Sequence, residues 1–150
     1  MLDDLLDGVV STFQSYSVPL PTRQYWTVGQ ISVDCEQLAI ALIQGYIGPP
    51  GDQASQPQKC ISPRTAVVLI SLSREIPVVS VNGRPPAPEK ITDGAKISAI
   101  DTWVLLQSIN VFDQWNGQYG YGLGVIGTVE VSPPEGGFQT VSLQLTMAIP

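Results

Sequence analysis

The 150 residues include no histidine, which leaves carboxylates as the first candidates for acid–base chemistry. That removes His general acid–base catalysis, Ser–His and Cys–His nucleophile pairs and His metal sites together. Asp34, Glu36, Asp101 and Glu130 are the plausible contributors to a carboxylate pair, which would need two of them converging in a pocket. Asp34 and Glu36 stand two apart, so on a strand they would share a face and could hold a hard cation. Two carboxylates alone make a weak site, and a solvated edge is the plainer reading. Gly122-Leu123-Gly124-Val125-Ile126-Gly127 fits G-x-G-x-x-G. A dinucleotide loop, however, follows a strand and opens a helix; here the run follows aromatic loop residues and leads into a strand. G-x-S-x-G, a Walker loop and a zinc-spaced cysteine pair are missing. The expectation is a protein that is not an enzyme, with no catalytic residue, metal or cofactor.

Composition points the same way. Only 13% of the residues are charged, against roughly 25% in ordinary soluble domains. A monomer generally relies on surface charge for solubility, so a surface this neutral predicts burial by other subunits. Net charge is −6, and residues 97–150 carry no Lys or Arg. Nucleic-acid-gripping proteins show a basic patch that neutralises phosphates; this chain reads instead as a surface that nucleic acid passes without sticking. The Met-Leu-Asp-Asp start is not a secretion signal, and no apolar run reaches the ~20 residues of a membrane span. Cys35 and Cys60 therefore read as reduced, buried thiols. With 43% hydrophobic residues, residues 1–150 can build a single domain around one core.

The elements follow from periodicity. Leu2, Leu5, Leu6, Val9, Val10 and Phe13 recur at helical spacing over 2–16, with Asp3, Asp4 and Asp7 at the positive end of the helix dipole. Tyr25–Gly29 reads as a short strand. Ile31–Gly45, apolar on both faces in its second half, reads as a central strand. Gly48–Pro63 is a long loop, Thr65–Arg74 a β-branched strand, and Ser80–Pro88 a second loop around Asn82-Gly83. Residues 91–114 read as a helix capped by Thr92 or Asp93. Ile97, Ile100, Trp103, Val104, Leu105, Leu106, Ile109 and Phe112 wrap most of its circumference, which predicts burial on more than one side. Trp115, Tyr119 and Tyr121 form a Gly-spaced aromatic loop, suited to core packing or to a protein contact.

The C-terminal stretch carries the cleanest pattern. Val141, Leu143, Leu145, Met147 and Ile149 alternate with Ser142, Gln144, Thr146 and Ala148. Val125, Val129 and Val131 alternate likewise with Thr128, Glu130 and Ser132. Pro133-Pro134-Glu135-Gly136-Gly137 between them is a turn, so Gly122–Pro150 reads as one long β-hairpin. The second arm would reach about 35–40 Å, long for a strand. Its uncharged polar face reads as facing a neighbour or a lumen.

In its order of elements the chain resembles the tail terminator proteins of long-tailed siphophages, most closely those of phages infecting actinobacteria. The segments that carry the likeness are Asp34-Cys35-Glu36-Gln37-Leu38, Gly51-Asp52-Gln53-Ala54-Ser55-Gln56-Pro57 and Cys60-Ile61-Ser62-Pro63-Arg64. Asp101-Thr102-Trp103-Val104-Leu105-Leu106, Gly124 to Val131 and Pro134 to Phe138 extend it over nearly the whole chain. The resemblance implies a mixed α+β fold, with a mainly antiparallel, curved sheet of four or five strands carrying an N-terminal helix, one long helix and the C-terminal hairpin. It also implies a ring, usually a hexamer, in the virion neck, assembled in the host cytoplasm. Such a ring caps the tail tube and joins it to the head-side connector or stopper, with DNA only in passage. Regions rather than residues are carried over: the hairpin and the loops 48–63 and 80–88.

Within these regions Asp52, Gln53, Gln56, Arg84, Trp115, Tyr119 and Tyr121 are candidate protein contacts, and Thr128, Glu130, Ser142 and Gln144 candidate lumen- or ring-facing residues. A head–tail stopper or tail tube subunit shares the same patterns. A non-viral small binding module, using the two loops, is the reading from a different class.

Overall fold

A computed structural model of the chain describes residues 1–48, 64–79, 82–115 and 122–149. The order is α1 (Leu2–Ser15), β1 (Arg23–Val28), β2 (Gln37–Ile47), β3 (Arg64–Glu75), α2 (Pro88–Trp115), β4 (Gly122–Val131) and β5 (Phe138–Ile149). The five strands form one open sheet in the order β1-β2-β3-β5-β4. All pairs are antiparallel except β1–β2, which is parallel. This is the α+β fold that the periodicities and the resemblance predict.

Both helices lie on one face of this sheet. α1 contributes Leu5, Val9 and Phe13, and α2 contributes Val104, Leu105 and Phe112. They meet Leu38 and Ile40 of β2, Val68, Ile70 and Leu72 of β3, and Leu143, Leu145 and Met147 of β5 in a single apolar cluster. Each large side chain buried there contributes about 1.5–3 kcal/mol, enough to stabilise a 14-residue helix that is marginal by itself. The alternation of β5 places its apolar residues on this face, as expected.

Several boundaries move. Only Gln37 onward of the Ile31–Gly45 stretch is strand. Gly29 to Glu36 is instead the connection between two parallel strands, and eight residues is short against the usual dozen or more. Gly29, at φ +92°, turns the chain out of β1, and its N–H donates to the Leu42 carbonyl (2.9 Å). Gln37 Nε2 donates to the Ser32 carbonyl (2.7 Å) and Arg23 to Asp34 (2.7 Å), so the connection lies over the face away from the helices. Leu38 to Ala41 are accordingly fully buried on both faces. Cys35 is a half-buried free thiol in this connection, not a core residue; Cys60 lies outside the described residues.

α2 begins at Pro88, three turns' worth of exposed residues before its packed half. Neither Thr92 nor Asp93 caps it: the fixed φ of proline suits the first helical position, and the Thr92 hydroxyl donates back to the Pro88 carbonyl (3.0 Å). Within the chain, the described residues of the helix are buried along one side. Asp101, Val104, Leu105, Ser108 and Phe112 face inward, while Ile97, Ile100, Trp103 and Leu106 remain exposed.

The connection between β4 and β5 closes on a two-residue turn. Glu135 and Phe138 exchange both backbone hydrogen bonds (2.9 Å each), and Gly136 and Gly137 have φ of +59° and +84°, the sign that a type I′ turn needs at both central positions. β4 does not keep a strict alternation. Its register slips against β5 between Leu123 and Val125 and again between Ile126 and Val129. At the second slip a Cβ on Gly127 would stand 2.8 Å from the Gln144 carbonyl oxygen, so the backbone approach itself requires glycine.

Candidate assembly surfaces

The four residues expected to face a lumen or a neighbour come together. Thr128 and Glu130 of β4 lie beside Ser142 and Gln144 of β5, with Glu130 paired to Ser142 in register. With Leu69 and Gly127 they line a shallow depression of about 240 Å³ on the sheet face away from the helices. Period-two alternation puts them there: the neighbours Val141, Leu143 and Leu145 are committed to the core on the other side. Thr128, Glu130 and Gln144 are exposed and Ser142 is half-buried.

The same face continues into a larger groove of about 790 Å³. Ser71, Thr140 and Ser142 give it a hydroxyl floor, Ile31 and Val33 of the β1–β2 connection form one wall, and Ser132 to Gly136 close the other. Beside it the Ser73 and Thr140 hydroxyls share a hydrogen bond (2.9 Å). Among the described residues, Glu135 is the one ionisable residue lining the groove. A floor of hydroxyls without cations offers hydrogen bonds but no charge to hold a phosphate.

A second surface is the uncovered side of α2. Ile97, Ile100, Trp103 and Leu106 are 43–49% exposed, and the Trp103 ring meets Tyr16, just past the end of α1, edge to face at 4.6 Å. Below it one ion pair fastens the helix layer to the sheet. Arg74 Nε and Nη2 donate to the two Asp101 oxygens (2.5 and 2.8 Å), and Nη2 also donates to the Pro19 carbonyl (2.7 Å). Asp101 is 1% exposed and Arg74 15%. One guanidinium thereby joins β3, α2 and the segment after α1, in the bidentate geometry that makes Arg–carboxylate pairs strong.

No known protein family and no curated protein matches the chain.

The carboxylates do not converge. Asp101 is taken by Arg74. Asp34 pairs with Arg23, and the Glu36 carboxylate accepts the Glu75 backbone N–H (3.0 Å), so these two do not share a strand face. Glu130 stands apart on the open face of the sheet. Among the described residues no three His, Cys, Asp or Glu groups stand close enough to hold a metal ion. Arg23 also donates to Cys35 Sγ (3.1 Å); that sulfur and then the Asp34 carboxylate raise the Arg23 pKa above its ordinary value, and the guanidinium stays charged. The G-x-G-x-x-G run lies inside β4 and opens no helix.

Of the expected contact residues, Asp52, Gln53, Gln56, Tyr119 and Tyr121 lie outside the described residues, and Trp115 closes α2. The described residues that flank their loops meet at one end of the sheet, where Ile47 pairs with Arg64, Arg64 with Ile149 and Gly122 with Ala148. Arg84 is exposed in the loop before α2, at the opposite end. There an apolar cleft of about 560 Å³, lined by Ile76, Val78, Val79, Pro86 and Ile91, adjoins it. Sequence periodicity does not reveal this cleft, because it forms between an irregular segment and the overhanging first turns of α2. The Arg74–Asp101 pair did leave a trace: Asp101 stands at i, i+3, i+4, i+7 with Val104, Leu105 and Ser108, an acid inside an apolar stripe.

Proposed function

We propose that the chain is a structural subunit of a ring in the neck of a long-tailed phage, a tail terminator that caps the tail tube and joins it to the head-side connector. The observation that carries this reading is the uncovered side of α2, a row of four large apolar side chains in a chain with few charges to keep it apart from its own copies. A closed ring joins two different patches of each subunit, and this subunit offers unlike surfaces: an apolar helix side and a polar, uncharged sheet face. The sheet edges are unlike too, since β1 is short and regular whereas β4 carries two bulges of the kind that discourage edge pairing. The face with Thr128, Glu130, Ser142 and Gln144 suits a lumen through which DNA moves, because these residues supply hydroxyls, an amide and an acid, and no cation lines their depression among the described residues. The proposed position in the particle rests on the resemblance of the sequence segments to those of tail terminators.

The test is an image of particles carrying a label on this subunit. One band at the head–tail junction is the expected result, and labelling along the whole tail would make it a tube subunit. Absence from particles would leave the binding-module reading. Separating heads from tails distinguishes a terminator, which stays on tails, from a stopper, which stays on heads.

A further inference from the structure

The sequence contains four places where an Asp or Asn precedes Gly: Asp7–Gly8, Asn82–Gly83, Asp93–Gly94 and Asn116–Gly117. The last lies outside the described residues. In such a pair the glycine backbone nitrogen can attack the side-chain carbonyl carbon of the preceding residue, since glycine has no Cβ to obstruct the approach. Secondary structure blocks the reaction by holding that nitrogen in a hydrogen-bond ladder. Gly8 is inside α1 and buried, and Gly94 is inside α2, so helical geometry fixes both nitrogens.

Asn82–Gly83 differs in each respect. Both residues are exposed, and neither makes a hydrogen bond among the described residues. Gly83 has φ +71°, and nothing lies within 4 Å of where its Cβ would stand. The side chain and the backbone nitrogen are therefore free to reach one another.

We propose that Asn82 is a site of spontaneous deamidation in the folded protein. The Gly83 nitrogen bonds to Asn82 Cγ, the Cγ–Nδ2 bond breaks, and ammonia leaves with the proton lost from the Gly83 amide. Water then opens the five-membered succinimide at either carbonyl, giving aspartate or isoaspartate. No oxidant or further reactant is needed. The product places a new carboxylate two residues before Arg84, on the loop that borders the apolar cleft, and the isoaspartate form lengthens the backbone there by one methylene. This inference is independent of the ring reading.

The experiment incubates the purified full chain at mildly alkaline pH, folded and in urea, and follows proteolytic peptides by chromatography and mass spectrometry. Peptide mapping separates Asn82 from Asn116. Asn82 should gain about 1 Da, split into aspartate and isoaspartate, and convert in the folded chain at a rate comparable to that in urea. Conversion should accelerate with pH, because the attacking nitrogen must lose its proton. Asp7 and Asp93, followed in a parallel incubation at mildly acidic pH where part of the carboxyl is protonated, should isomerise only in urea. Asn82→Gln, whose ring would need six members, should abolish the conversion at that position. Retention of Asn82 in the folded chain while it converts in urea would overturn the proposal, as would equal protection of Asn82 and Asp93 in the fold.

Discussion

Two residues bear more structural consequence than their types announce. Asp101 is an almost fully buried acid whose two oxygens are held by one guanidinium. Asp101→Ala leaves Arg74 inside the helix–sheet seam without its counter-charge and should lower stability by about 3 kcal/mol, the usual cost of breaking a buried pair from one side. Urea unfolding measures it. Replacing both partners, Arg74→Met with Asp101→Leu, should recover much of that loss, because the desolvation penalty goes with the charges. At Gly127 the argument is steric. Gly127→Ala sets a methyl group 2.8 Å from the Gln144 carbonyl, and backbone cannot give way as a flexible side chain would. A cost of about 1–3 kcal/mol follows. Gly45→Ala is the matched control in β2: its nearest neighbour would be 3.8 Å away, so the change should be neutral or slightly stabilising.

Among the elements, α2 and the Gly29–Glu36 connection mark the limits of periodicity. The apolar spacing of α2 was legible, and it foretold a helix with more apolar surface than one core needs. It did not separate the inward row from the outward one, because Ile97 and Ile100 carry the same hydrophobicity as Val104 and Leu105. Only the position of α1 and the sheet decides. Ile97→Ser and Ile100→Ser should each change the stability of the isolated subunit by less than about 1 kcal/mol and, if this side of α2 joins copies in the proposed ring, reduce ring assembly sharply. Sedimentation of the variants alongside urea unfolding separates the two effects, and intact rings in the double variant would remove this side of α2 from the interface. In the connection, Ile31, Val33 and Cys35 alternate as a strand would. They fail to form one because β1 and β2 run parallel, and the chain must travel back along the sheet before β2 can start. Parallel pairing is a long-range choice that leaves no local signature.

For the whole molecule, the division into a helix-covered face and an open polar face was readable from the alternation in β5. The cover over half of that open face was not, since it follows from the parallel pair. Charge on the uncovered half is sparse and acidic. Glu130→Lys reverses its sign at one position on each subunit and, if this face lines the conduit, should slow DNA release from the particle, more so at low salt, where the Debye length is longest. Unchanged release kinetics would remove Glu130 from the lumen. Strand order also bears on how the chain folds during synthesis. β5, the last of the described strands to be made, is not an edge but the sheet's fourth member, paired with β3 along all twelve positions of each strand. Contacts between residues 64–75 and 138–149 are far apart in sequence, the kind that slow folding to milliseconds or seconds. While the ribosome adds roughly 5–20 residues per second, the edge of β3 that β5 covers stays unpaired, and the sheet cannot be completed across that edge before translation has passed β5.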